Sequence, residues 1–159
     1  MDQSGLIVVV CTGNTCRSPM AQGLLAHALA AEESPLKDFR VVSAGVAAAP
    51  GSPASANSVT AMKKVGLDIS NHQSQPLTEE LLEEASVIFV MTETHRAIIQ
   101  ASFDPTPRHV YLLREFMPPE ADTEVADPYG GPPALYEACR DEMVESVPSL
   151  VKFLRENTT

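Results

Sequence analysis

The apolar run Leu6-Ile7-Val8-Val9-Val10 passes directly into Cys11-Thr12-Gly13-Asn14-Thr15-Cys16-Arg17-Ser18, and Pro19 follows. A short β-branched run bounded by turn-forming residues reads as a buried parallel strand, and Pro is tolerated in the first turn of a helix. The order strand, tight loop, helix confines the chain to α/β folds, in which a ligand sits at the carboxyl end of the strands. Cys11 follows such an end. At about one in 20 per residue, Gly, Asn, Arg and Ser at these offsets would follow a given Cys by chance about once in 160,000.

The rest of the chain keeps the same alternation. Helical residues run from Pro19 to about Ala31, Arg40 to Gly45 reads as a second strand, and Asn57 to Val65 as a helix stopped by Gly66. Thr78 is the N-cap expected for Glu79 to Ala85; Val87 to Val90 forms a third strand, Thr94 to about Ala101 a short helix and Val110 to Leu112 a fourth strand. A Pro-rich segment, Met117 to Pro133, precedes helical spacing from Leu135 to Leu154, with a kink expected at Pro148. The expectation is a three-layer fold, a four-stranded parallel sheet with helices on both faces and a phosphate-binding loop after the first strand. With 159 residues, 44% of them hydrophobic, and no repeat or dividing linker, residues 1–159 are expected to form a single domain.

Composition excludes several classes. A net charge of −10 disfavours nucleic-acid partners, whose phosphates require Lys and Arg. The N-terminal apolar run has five residues with Asp2 ahead of it, too short for a signal peptide or a membrane span, so the expected compartment is the cytoplasm. Three Cys, an odd number, suit reduced thiols rather than a disulfide framework. No paired C-x-x-C or H-x-x-x-H spacing is present, so neither a metal nor another cofactor is expected.

The loop carries its own chemistry. Successive N–H groups entering a helix form an anion nest, reinforced by the positive end of the helix. Gly13 is expected to supply a positive φ, with Asn14 the next best residue for that conformation. Arg17 offers a two-pronged grip on a phosphoryl group, and Ser18 a hydrogen bond to sulfur. Those amides and Arg17 favour the thiolate of Cys11, a nucleophile able to attack phosphorus in line. The departing group then needs a proton from a carboxylic acid. Two dipeptides compete for that role: Asp104-Pro105, which reads as turn chemistry, and Asp127-Pro128-Tyr129-Gly130-Gly131, a loop whose aromatic can line a substrate mouth.

These residues, with Pro19-Met20-Ala21, Ser43-Ala44-Gly45 and Asp127-Pro128-Tyr129-Gly130, resemble the low-molecular-weight protein-tyrosine phosphatase family over essentially the whole chain. The resemblance implies that Cys11 is the nucleophile, Arg17 the phosphate clamp, Ser18 the thiolate stabiliser and Asp127 the general acid, which resolves the choice between the two dipeptides. It assigns Thr12, Gly13, Asn14, Thr15 and Cys16 to the phosphate loop, with Ser43 and His72 joining Asn14 to support it. It also implies a Cys11–Cys16 disulfide able to protect the nucleophile, as an alternative to a merely structural Cys16. The expected ligands are phosphorylated proteins as substrate and inorganic phosphate or another oxyanion in the active site.

Within that family, Thr12, Thr15 and Asp127 to Gly131 look most like the bacterial branch that includes protein arginine phosphatases. A small hydroxyl residue at position 15 suits a guanidinium where Ile or Leu would pack on a phenyl ring, which places phosphoarginine ahead of phosphotyrosine. Tyr129 is expected to line the substrate. Two rivals belong to other classes. An arsenate reductase on this fold would need two further cysteines, and residues 82 to 91, where they are expected, contain none. An inactive phosphate-binding module would have no use for a nucleophile and an acid together. His27 and His95 read as ordinary helix residues, His109 as strand start, Cys139 as core, and Glu79, Glu80, Glu83 and Glu84 as a solvated face.

Overall fold

A computed structural model describes residues 5–158; residues 1–4 and 159 of the expected domain lie outside the described residues. Strands β1 (Leu6–Cys11), β2 (Arg40–Gly45), β3 (Val87–Val90) and β4 (Val110–Leu112) form one sheet in the order β2-β1-β3-β4, with every pairing parallel. Around it lie helices α1 (Arg17–Ala30), α2 (Ala56–Lys63), α3 (Glu79–Glu84), α4 (Glu93–Ser102) and α5 (Pro133–Asn157), and a 3-10 turn, Leu36–Asp38. The expected three-layer α/β architecture is the observed one.

The period-two geometry of β1 divides the core. Ile7, Val9 and Cys11 face one cluster with Leu25, Met62 and Met143, while Leu6, Val8 and Val10 face another with Leu82 and Ile99. All six β1 side chains are buried, each aliphatic one contributing roughly 1.5–3 kcal/mol. Cys11 therefore stands at the end of the most firmly anchored strand, on the α1 and α5 side.

β2 braces the loop that follows. Gly45 pairs with Cys11 in register, and Val46 and Ala47 donate backbone N–H groups to the carbonyls of Cys11 and Thr12 at 3.0 Å. A Cβ on Gly45 would stand 2.7 Å from the Ala48 Cβ and nearer still to the Thr12 carbonyl, so only glycine fits against the loop.

Helix boundaries differ from expectation for local reasons. α1 starts at Arg17 rather than Pro19, which puts the clamp residue and Ser18 inside the helix. α2 ends two residues early, at Lys63, and the chain turns to Gly66 at φ +81°. α4 begins one residue sooner because Thr92 caps it, its hydroxyl accepting from the His95 N–H. α5 begins at Pro133, which occupies the first helical position instead of closing the loop, and continues through Pro148. Asp104-Pro105 lies between α4 and the start of β4, at the opposite end of the parallel sheet from Cys11.

Candidate active site

A cavity of about 220 Å³ opens at the carboxyl end of β1, lined by Cys11, Thr12, Gly13, Thr15, Cys16, Arg17, Asp127 and Tyr129. No side chain caps the start of α1, so the N–H groups of its first turn are left to a ligand at this point.

The loop's left-handed residue is Asn14, at φ +58°, and not Gly13 as expected. The Asn14 side chain explains the difference, because its three hydrogen bonds hold that conformation. Its Oδ1 accepts from the Gln75 N–H at 2.9 Å, which fixes Nδ2 as the donor to Ser18 Oγ at 2.7 Å and Ser43 Oγ at 2.9 Å. Ser43 in turn donates to Gln22 Oε1 at 2.6 Å, and the His72 Nε2 lies 2.7 Å from the Asn14 carbonyl oxygen. Ser43 and His72 thus both contact Asn14.

Ser18 Oγ lies 2.9 Å from Cys11 Sγ. Having accepted from Asn14, the hydroxyl can donate to sulfur. Arg17 is only 4% exposed. Its Nη1 donates to the Val125 carbonyl at 2.9 Å, Nη2 lies 3.5 Å from Thr12 Oγ1 and 3.7 Å from Asp127 Oδ2, and buried Nε has no partner among the described residues. The guanidinium is thereby anchored from behind, with Nε and Nη2 left for an oxyanion. Asp127 is half-exposed, and its Oδ1 accepts from the Tyr129 N–H at 3.0 Å, a turn that aims Oδ2 at the arginine. The Tyr129 ring is largely in solvent at the rim.

Several residues of the surroundings were not legible as site residues. His95, expected to be an ordinary helix residue, is buried with Nε2 2.8 Å from Thr12 Oγ1. Burial, and then the charge of Arg17, lower its pKa to about 4. The one available signal was Thr92 as a cap three residues ahead, and Thr94 offers an equal cap by sequence. Gln22, Gln75, Ser55 and Tyr136 come from distant parts of the chain and carry no motif.

The three cysteines are free thiols. Cys16 Sγ faces Ser55 Oγ at 3.6 Å and the Tyr136 hydroxyl at 3.7 Å; burial pushes the Tyr136 pKa up. Cys139 is buried as expected, and desolvation pushes its thiol up to about 12, which leaves it inert as a nucleophile. His109 stacks on Tyr111, and the α3 glutamates are exposed.

A thiol at the end of β1, an arginine fork at the start of α1 and a carboxyl at the cavity wall fit a cysteine-dependent protein phosphatase. The family model for low molecular weight phosphotyrosine protein phosphatase matches residues 6–159, and the chain belongs to that family. The chain is 40% identical over 151 residues to a protein-arginine-phosphatase of Bacillus subtilis (strain 168), covering 95% of this chain and 97% of that one. Among solved structures, the YwlE arginine phosphatase with a phosphorylated active site serine superposes with a TM-score of 0.85 at 38% identity, over 96% of this chain and 97% of that one. A low molecular weight protein tyrosine phosphatase from T. tengcongensis superposes with a TM-score of 0.84 at 34% identity, over 94% and 99%. No helix among the described residues is long and apolar enough to cross a membrane.

Proposed function

We propose that this chain hydrolyses phosphoarginine in proteins through a phosphocysteine intermediate. The observation that carries the reading is the Arg17 guanidinium, which lines the cavity with Cys11, is buried and anchored on Val125, and leaves Nε without a partner among the described residues. A buried donor without a partner is costly, and a phosphoryl oxygen satisfies it.

The Cys11 thiolate attacks phosphorus, forming the S–P bond as the bond from phosphorus to the leaving guanidine nitrogen breaks. Asp127 gives its proton to that nitrogen. Water then attacks the phosphocysteine, Asp127 takes a proton from it, and inorganic phosphate leaves with the thiolate restored. Arg17 and the loop amides stabilise the charge on the equatorial oxygens throughout. Reduced thiols in all three cysteines suit the cytoplasm as the working compartment.

Preference for phosphoarginine is supported by two threonines in different states. Thr12 Oγ1 is engaged with His95 and Arg17, whereas among the described residues Thr15 Oγ1 has only the Cys16 sulfur as a hydrogen-bonding neighbour, at 3.9 Å. The Thr15 hydroxyl at the cavity wall therefore remains available to a guanidinium N–H, while an aliphatic residue there would offer only packing to a phenyl ring. The similarity to the protein-arginine-phosphatase of Bacillus subtilis supports the same choice.

The test is a rapid acid quench with a phosphoarginine protein. The expected result is phosphate bound to Cys11 in the wild type and absent from Cys11→Ala. Phosphate release without any enzyme-bound phosphate would overturn the mechanism.

A further inference from the structure

His95 is the buried histidine of this chain, and it lies against the loop. Its ring stands between two hydroxyls, with Nδ1 3.2 Å from Thr92 Oγ1 and Nε2 2.8 Å from Thr12 Oγ1. Thr12 Oγ1 is also the group 3.5 Å from Arg17 Nη2. The guanidinium is thus held at two points: its Nη1 side by the Val125 carbonyl, and its Nη2 side by a threonine that His95 holds in turn. Val125 is itself fixed to the sheet end through its N–H to the Met91 carbonyl at 3.0 Å.

The second point is the adjustable one. Thr12 has an exposed position, and nothing but His95 and Arg17 is bonded to its hydroxyl among the described residues. A free threonine rotates among three staggered wells, two of which would carry Oγ1 away from the arginine. The ring removes that freedom.

We propose that His95 is a positioning residue for catalysis: through the Thr12 hydroxyl it sets the Nη2 edge of Arg17 in the orientation that receives the phosphoryl group. The inference rests on Arg17 acting as the phosphate clamp. Either ring tautomer serves. With Nε2 protonated the ring donates to Thr12 Oγ1, and with Nδ1 protonated it accepts the Thr12 proton; in both cases Thr12 Oγ1 keeps a lone pair for Arg17. Burial and the Arg17 charge keep the ring neutral against the opposing pull of Asp127 and Glu124, so it adds no second cation beside the clamp.

A double-mutant cycle isolates this route. Thr12→Val, His95→Ala and the pair are compared on p-nitrophenyl phosphate, with rates divided by the Cys11 thiol that iodoacetate titrates in folded enzyme. Each single change is expected to lower kcat about tenfold, the equivalent of one lost hydrogen bond, and the pair to be no worse than the more damaging single change. Inhibition by inorganic phosphate should weaken in the same variants. His95→Gln, whose amide retains a hydrogen-bonding group near the Nε2 site, should recover much of the rate. If His95→Ala does not fold, His95→Leu, which fills the space without a hydrogen-bonding group, with and without Thr12→Val carries the cycle. Losses that multiply in the pair, or full kcat per thiol in His95→Ala, would overturn the role of His95 while leaving the phosphatase reading intact. A wild type inactive on p-nitrophenyl phosphate would remove both.

Discussion

Ser18 Oγ sits 2.9 Å from Cys11 Sγ while it receives the Asn14 amide proton at 2.7 Å. Because the Gln75 N–H fixes which end of Asn14 donates, the polarity of the chain runs from the backbone to the sulfur. A hydrogen bond to a charged group stabilises it by about 1.5–3 kcal/mol, so Ser18→Ala should slow the alkylation of Cys11 by iodoacetate at a fixed pH by roughly ten- to a hundredfold. The alkylation rate of the folded enzyme reads this directly. An unchanged rate would mean that the serine hydroxyl does not act on the sulfur.

Asn14 separates backbone from relay. Asn14→Ala places an ordinary residue at φ +58°, a strain of about 1–2 kcal/mol, whereas Asn14→Gly adopts the angle freely. Thermal unfolding should therefore rank Gly above Ala. Phosphatase activity should be low in both, since each loses the bonds to Ser18, Ser43 and Gln75. Near-normal activity in the Gly variant would show that loop shape alone matters.

Asp127 Oδ2 lies 3.7 Å from Arg17 Nη2 at the cavity wall, and the proposed mechanism makes it the acid. Asp127→Asn should slow substrates with basic leaving groups most, by about 10²–10⁴-fold, and those with acidic phenols much less. A series of aryl phosphates measures the slope. Uniform slowing across the series would contradict the acid role.

His95 makes the fold acid-sensitive. Its folded pKa, about 4, lies below the ordinary 6.5, so between those values the unfolded chain binds a proton that the folded one refuses. Stability should then fall as pH drops from about 6.5 towards 4, by up to about 3 kcal/mol from this group. Urea midpoints across that range should decline more steeply in wild type than in His95→Gln. Parallel declines would mean that the buried ring is not the cause.

The parts of the site legible in sequence are those whose chemistry is local. Leu6 to Val10 followed by Cys11 to Pro19 dictates strand, loop and helix because each residue's preference serves the same three-part unit, and the motif carries Cys11, Arg17 and Ser18 with it. Gly13 and Asn14 illustrate the limit. Propensity favours Gly for a left-handed turn, but three side-chain hydrogen bonds from partners 4, 29 and 61 residues away put Asn14 there instead. His95 was hidden for a similar reason: Thr92-Glu93-Thr94 offers two caps, and only packing of α4 against the loop, 83 residues upstream of the ring, selects the first. Asp104 and Asp127 look alike as dipeptides until the sheet places them at opposite ends.

The most direct measurement is phosphate release from a phosphoarginine protein and a phosphotyrosine peptide, side by side, with wild type and Thr15→Ile. Wild type should prefer phosphoarginine, and the substitution should reverse the preference. A wild type that prefers phosphotyrosine, or a preference indifferent to residue 15, would contradict an arginine phosphatase selected at the cavity wall.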